Sequence, residues 1–255
     1  MRILISNDDG VYAPGVLMLI SLLEEIADLT VVCPESQRSG YSHGISVANP
    51  VGLTPVFLKK GISSYSVDGT PVDCIKLALE TLYSEKPDWV ISGINAGANV
   101  GQDIFYSGTV AAAREATLYG IPAIAMSLAR DGQNKLDYTN VNLVLKDLLP
   151  KLLSLKVNDF YFLNLNIPTL GILKPDPIRV VNPEIINKKF DFFRLKNPKG
   201  QEVYWLSNRY HRMDTYQGES DYQLLKEGYI TLSPISVQPQ VNQSLLNEIQ
   251  NRLNN

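Results

Sequence analysis

Arg2-Ile-Leu-Ile-Ser6, followed at once by Asn7-Asp8-Asp9-Gly10, decides the fold class of this chain. The first five residues are a short apolar run with β-branched members, which reads as a buried strand. The next four are turn formers. Pro14 to Ala27 then carries a helical apolar pattern. A strand, a tight acidic turn and a helix open an α/β domain, in which ligands bind at the carboxyl ends of the strands. Asp8 and Asp9 stand at that end. Two adjacent carboxylates repel unless something positive lies between them, and a hard divalent cation is the simplest candidate. The competing reading is plain helix capping, for which Asp is a common choice.

Outward from this turn the alternation continues. Leu29 to Pro34 is a second apolar strand, and Glu35 to Gly44 is a long polar loop. Val56-Phe57-Leu58 and Tyr65-Ser66-Val67 are strand-like. Thr70-Pro71-Val72-Asp73 has the composition of a capped helix start, with Thr70 at the cap, Pro71 first in the helix and Asp73 reaching back. Trp89 to Ser92 is another strand, Gly93 to Gly108 a glycine-rich loop, and Thr109 to Tyr119 an alanine-rich helix. A strand at Ala123 to Ser127, a helix at Val141 to Leu153 and a strand at Phe160 to Leu165 complete the alternating region. From Ile178 the texture changes to short strands (Ile178 to Val181, Glu202 to Leu206, Tyr229 to Leu232) and short helices (Asp221 to Glu227, Ser244 to Leu253) between polar stretches. The expected organisation is a catalytic domain over 1–177 and an extension over 178–255. The extension is too thin in apolar residues for its own core, so it reads as arms that pack on the main domain or on a second subunit.

Composition narrows the function. With 255 residues, 45% hydrophobic and 19% charged, the chain can form one large core. A net charge of −3 gives no reason to expect a nucleic-acid groove or an anionic membrane partner. The basic-aromatic stretch Lys188 to Lys199 therefore reads as a solvated hairpin. Cys33 and Cys74 form no CxxC pattern and read as buried thiols. Asp8 and Asp9 interrupt the N-terminal apolar run too early for a signal peptide, and the apolar face from Val16 to Leu23 is too short to span a bilayer. A cytoplasmic location is expected.

The polar residues that follow the strands carry the chemistry. Asp8 and Asp9 follow the first strand, Ser39 the second, and Asn95 the Trp89 strand. In a parallel sheet these converge on one rim as an all-oxygen set, which favours Mg²⁺ or Mn²⁺ over Zn²⁺. One water bound to such an ion could be the nucleophile. Tyr106-Ser107-Gly108-Thr109 then runs into a helix. Two hydroxyls, a glycine that permits close backbone approach and the positive end of a helix dipole form an anion cradle, or else an ordinary cap. A metal and a phosphate cradle on one rim describe phosphoester chemistry. No GxGxxG or GxxxxGK[ST] is present, so dinucleotide and P-loop binding are not supported. His43 is read as a surface residue in preference to an acid. Arg38 is a phosphate contact or a solvated side chain, and Arg114 and Glu115 are structural.

Four stretches make the chain recognisable: SNDDGVYAPG at 6–15, PESQRSGYSHGIS at 34–46, GTPVDCIKLAL at 69–79 and SGINAGANVGQDIFYSGTVAAAREA at 92–116, with weaker echoes in LNLNIP at 163–168, YWL at 204–206 and GYITLSPI at 228–235. Together they resemble the SurE family, stationary-phase survival proteins that act as metal-dependent nucleotidases. The resemblance implies a Rossmann-like, mostly parallel sheet flanked by helices, with C-terminal arms exchanged in a homodimer or homotetramer. It implies hydrolysis of nucleoside 5′-monophosphates to nucleoside and phosphate, with 3′ esters and short polyphosphate as candidate additional substrates. It carries the metal ligands, for one Mg²⁺ or Mn²⁺ per subunit, onto Asp8, Asp9, Ser39 and Asn95, and the phosphate pocket onto Asn99, Ser107, Gly108 and Thr109. The chain departs from the family pattern at Glu219-Ser220-Asp221, where Gly-Thr-Asp is usual, in the arm from Asn208 to Gln217, and after Val237.

Two other functions compete. A glycosyltransferase would need a second nucleotide-binding half-domain, which the thin C-terminal half does not offer. A non-catalytic nucleotide-binding module needs no cluster of oxygen ligands. An aspartyl-phosphate enzyme usually has one residue between its two acids, whereas these are adjacent and followed by Gly10, so attack by metal-activated water is expected.

Overall fold

The computed structural model describes residues 1–131, 133, 135–138, 141–157, 160–169, 173–174, 176–185, 188–212 and 218–253, with backbone alone at 188 and 208–212. The main sheet has nine strands among the described residues. They are β1 (Arg2–Ser6), β2 (Asp28–Pro34), β3 (Leu53–Pro55), β4 (Ser63–Val67), β5 (Trp89–Ala96), β6 (Ala123–Leu128), β7 (Tyr161–Ile167), β8 (Ile178–Val180) and, after a separate hairpin of β9 (Lys188–Lys196) and β10 (Glu202–Arg212), β11 (Ile230–Ser236). The order is β3-β4-β2-β1-β5-β6-β7-β11-β8. From β4 through to β7 every pairing is parallel; β3 on β4 and β11 on β7 are antiparallel.

Period-two alternation explains how two helical layers bind one sheet. On β1, Ile3 and Ile5 face one side and Leu4 the other. The first side packs against α1 (Pro14–Leu23) and α4 (Val141–Leu153) through Val16, Leu19, Leu145 and Leu149. The second packs against α2 (Pro71–Thr81) and α3 (Gly108–Leu118) through Cys74, Ile75, Val110 and Ala113. Because both faces are covered, the central strands read as unbroken apolar runs. The capped start of α2 is formed as the sequence predicts: Asp73 N–H donates to Thr70 Oγ1 and Thr70 N–H donates to Asp73 Oδ2.

Three expectations are corrected. The strand expected at Val56-Phe57-Leu58 lies three residues earlier, at Leu53–Pro55, because those residues align with Tyr65 to Val67 of β4. The strand expected to end at Ser92 continues to Ala96, through a register shift against β6 between Ser92 and Asn95. Residues expected among the extension arms join the main sheet: β11 pairs with β7 along Thr231 to Ser236, and β8 pairs with β11. Without them β7 would be an open apolar edge. What remains outside the sheet is the β9–β10 hairpin, α5 (Asp221–Lys226) and α6 (Gln243–Leu253). The arm singled out at Asn208 to Gln217 lies outside the described residues from 213 onward, and only its backbone is described before that.

The hairpin is a two-stranded sheet of its own. Its large side chains, among them Phe192, Phe193, Tyr204 and Trp205, are exposed on both faces. No helix among the described residues is long and apolar enough to cross a membrane.

Candidate metal and phosphate site

The chain runs from β1 to β2 and β4 on one side, then returns to β5 on the other side of β1. That reversal opens a crevice between the carboxyl ends of β1 and β5. A cleft of about 410 Å³ lies there, lined among others by Asp8, Asp9, Ser39, Asn95, Asn99 and Ser107. Six of the eight residues selected from the sequence therefore face one space, although they come from four separate chain segments.

Asp8 is buried, and the start of α3 holds it. Thr109 Oγ1 donates to Asp8 Oδ1. Burial, with a smaller contribution from neighbouring Asp9, pushes the Asp8 carboxyl up to about 6 despite that hydrogen bond. Burial also raises Asp9, opposed by the Ala96 N–H that donates to its Oδ2 at 2.9 Å and by the charge of Arg130. Asn7 closes the turn through Gly10: Nδ2 donates to the Gly10 carbonyl at 2.9 Å, and Oδ1 accepts the Gly10 N–H at 3.2 Å.

Gly108 and Thr109 stand behind the cleft wall. Thr109 is fully buried and gives its hydroxyl to Asp8, so that hydroxyl is not open to a phosphate. Gly108 lets the helix start press against Asp8. Ser107 lines the cleft and also caps the helix, accepting the Val110 N–H at 3.1 Å. Asn95 Nδ2 donates to the Gly97 carbonyl at 2.7 Å, which leaves Oδ1 for a ligand. Ser39 Oγ accepts from Gln37 Nε2 at 2.9 Å.

The polar loop that carries Ser39 is latched at several points. Arg38 N–H donates to the Asp8 carbonyl at 2.7 Å, and the Arg38 guanidinium lies over the Tyr41 ring. Ser42 N–H donates to the Tyr106 carbonyl at 3.1 Å. His43, expected at the surface, is half-buried and meets Glu115 Oε2 through Nε2 at 2.7 Å; Lys76 Nζ donates to Glu115 Oε1 at 2.9 Å. Ser46 donates to Asp73 from N at 2.9 Å and from Oγ at 2.7 Å. Sequence reasoning did not select Gln37, Asp103 or Tyr106, which also line the cleft. The only available signal was their place inside the long matching stretches.

The donor set fits a hard cation. Two carboxylates raised by burial, one amide oxygen and one hydroxyl face a single cleft, and all are oxygen donors. Among the described residues no group of three His, Cys, Asp or Glu side chains is placed to hold a metal.

A family model described as Survival protein SurE matches residues 3–187. The chain belongs to the SurE family. A protein from Heliobacterium modesticaldum named 5′-nucleotidase SurE is 38% identical over 250 residues, covering 98% of this chain and 90% of the relative. One of the same name from Caldanaerobacter subterraneus is 40% identical over 239 residues, covering 91% and 90%. The crystal structure of the SurE protein from Aquifex aeolicus superposes with a TM-score of 0.81 at 30% identity, over all of both chains. The Rossmann-like α/β fold is thus shared with a SurE-family structure.

Proposed function

We propose that this chain is a metal-dependent phosphomonoesterase that hydrolyses nucleoside 5′-monophosphates to nucleoside and phosphate, with Mg²⁺ or Mn²⁺ as its ion, one per subunit. The observation that carries the reading is the convergence of Asp8, Asp9, Ser39 and Asn95 on the cleft that Ser107 borders at the N-terminus of α3. Names of relatives at 38–40% identity support the nucleotide as substrate.

Asp8 and Asp9 would hold the cation together with Asn95 Oδ1 and Ser39 Oγ. When bound, that ion supplies charge neutralisation and Lewis acidity toward water and the phosphate oxygens. The α3 N-terminus directs its dipole at the phosphate, and Asn99 and Ser107 offer polar contacts. Thr109 and Gly108 act through Asp8, one by hydrogen bond and one by close packing. Water oxygen attacks phosphorus, the bond from phosphorus to the 5′ oxygen breaks, and a proton passes to that oxygen as the nucleoside leaves.

Phosphate release should be measured on a panel of nucleoside 5′-monophosphates, 3′ esters and short polyphosphate, after chelation and after adding back each metal. Release from 5′-monophosphates only with metal supports the reading. Equal release after exhaustive chelation overturns it.

We assign catalysis to residues 1–177 and association to the parts of 178–255 that stand off the sheet. The exposed aromatic hairpin is the proposed contact with a second copy, in a homodimer or homotetramer. A cytoplasmic location is proposed.

A further inference from the structure

Three buried polar side chains from the second half of the chain bind the backbone of the loop that borders the cleft. Asn166, at the end of β7, accepts the Asn99 N–H on Oδ1 at 2.8 Å and returns Nδ2 to the Asn99 carbonyl at 3.1 Å. Asn164, on the same face of the strand, adds its Nδ2 to that carbonyl at 2.9 Å. Two residues further on, Gly101 N–H donates to Asp221 Oδ2 at 2.7 Å, while Asp221 Oδ1 accepts the Glu184 N–H at 2.9 Å. Gly101 has φ +56, and a Cβ there would stand 2.4 Å from the Glu184 carbonyl oxygen. The loop is therefore pressed on residue 184 as well as bonded.

Asn166 and Asp221 are 1% and 0% exposed, and neither lines the cleft. Desolvating an amide and a carboxylate is costly without hydrogen bonds. Asn166 spends both ends of its amide on Asn99, and Asp221 spends a carboxylate oxygen on Gly101, where an apolar core residue would have met only packing needs. The Asn99 side chain is turned the same way: its Nδ2 donates to Ser127 Oγ at 2.8 Å. We propose that Asn166 and Asp221 are positioning residues that set the placement of Asn99 in the cleft, and with it the affinity for phosphate. This rests on the phosphatase reading above. It gives the LNLNIP stretch and the Asp of the Glu-Ser-Asp triplet a part in the site, although neither touches substrate.

Asn166→Asp keeps the acceptor for Asn99 N–H but sets a carboxylate oxygen against the Asn99 carbonyl. Asp221→Asn retains one oxygen and turns an N–H toward Gly101. Thr231→Val is the control, because Thr231 is the cross-strand neighbour of Asn166 and is equally buried. KM for a nucleoside monophosphate and Kd for inorganic phosphate should be measured well below each variant's Tm. The expected result is a rise of tenfold or more in both for Asn166→Asp and threefold or more for Asp221→Asn, with kcat changed less and Thr231→Val within twofold of wild type. If folded Asn166→Asp and Asp221→Asn keep KM and Kd within twofold while only Tm falls, the two residues merely support the core and the proposal is overturned. Should Asn166→Asp fail to fold, Asp221→Asn decides alone. Wild type that binds phosphate but hydrolyses no ester would sink the phosphatase reading and leave the clamp to be decided by Kd. Wild type that binds no phosphate overturns both.

Discussion

A Cβ built on Gly108 would stand 2.8 Å from the Cβ of Asp8 and 2.9 Å from Pro71 Cγ. The start of α3 can approach the acidic turn only because residue 108 has no side chain. Gly108→Ala should therefore displace Asp8, with a loss of roughly tenfold or more in kcat/KM and an overpacking cost of about 1–3 kcal/mol. Steady-state kinetics and thermal melting check this. Unchanged kinetics would mean that Asp8 can shift without consequence.

Ion binding should stabilise the fold. An ion that binds only the native turn contributes about 2.7 kcal/mol at a hundredfold excess over its Kd. Wild type should melt higher with Mg²⁺ or Mn²⁺ than with a chelator. Asp9→Asn retains an oxygen for the Ala96 N–H and removes a charge. Because the charge removed is a half-buried one beside buried Asp8, the variant should lose activity and most of the metal response, while its metal-free form melts no lower than metal-free wild type. A drop of several degrees in the metal-free form would make Asp9 chiefly a structural cap.

Acid should release the Ser39 loop. Burial pushes the Asp73 carboxyl up, but hydrogen bonds from Ser46 and Thr70 outweigh this and hold it below its usual 3.8. Glu115 is likewise desolvated, yet His43 and Lys76 hold it below 4.5. A depressed folded pKa contributes stability that is present above the unfolded value and lost as pH falls through the folded one. Limited proteolysis between residues 37 and 50 should thus accelerate below about pH 4. Glu115→Gln and Asp73→Asn should each accelerate it already at neutral pH. Equal cleavage rates in all three proteins would show that these latches do not hold the loop.

Association and sheet integrity should separate. Phe193 and Trp205 face each other across the hairpin and are both exposed. Phe193→Glu with Trp205→Glu should reduce the mass seen by light scattering to that of a monomer and leave Tm within a few degrees. Truncation after residue 177 should instead give a poorly soluble fragment, because it strips β8 and β11 and bares β7. A wild-type chain that is already monomeric would remove the hairpin from any interface.

Much of this was legible locally. Arg2 to Gly10 specified a strand and an acidic turn, and Thr70 to Asp73 specified a helix start, because capping and turn hydrogen bonds close within three residues. Parallel order then placed Asp8, Asp9, Ser39 and Asn95 on one rim, since the first three follow strands and Asn95 stands at the carboxyl end of β5. The bond from the Thr109 hydroxyl to Asp8 is not legible in the sequence, because the two residues are 101 positions apart. The half-buried place of His43 is not legible either, because its partner Glu115 lies 72 residues on.

The sequence by itself determined the α/β class, the acidic turn, the helix starts and the oxygen character of the cleft, all properties of residues close along the chain. Only the tertiary structure decided that β11 inserts between β7 and β8, antiparallel to the first and parallel to the second, that Thr109 serves Asp8, and that Asn166 and Asp221 hold Asn99 and Gly101 across 67 and 120 residues. No local pattern encodes those pairings. They form because packing buries polar groups whose hydrogen bonds must then be met by whichever backbone the fold brings within reach.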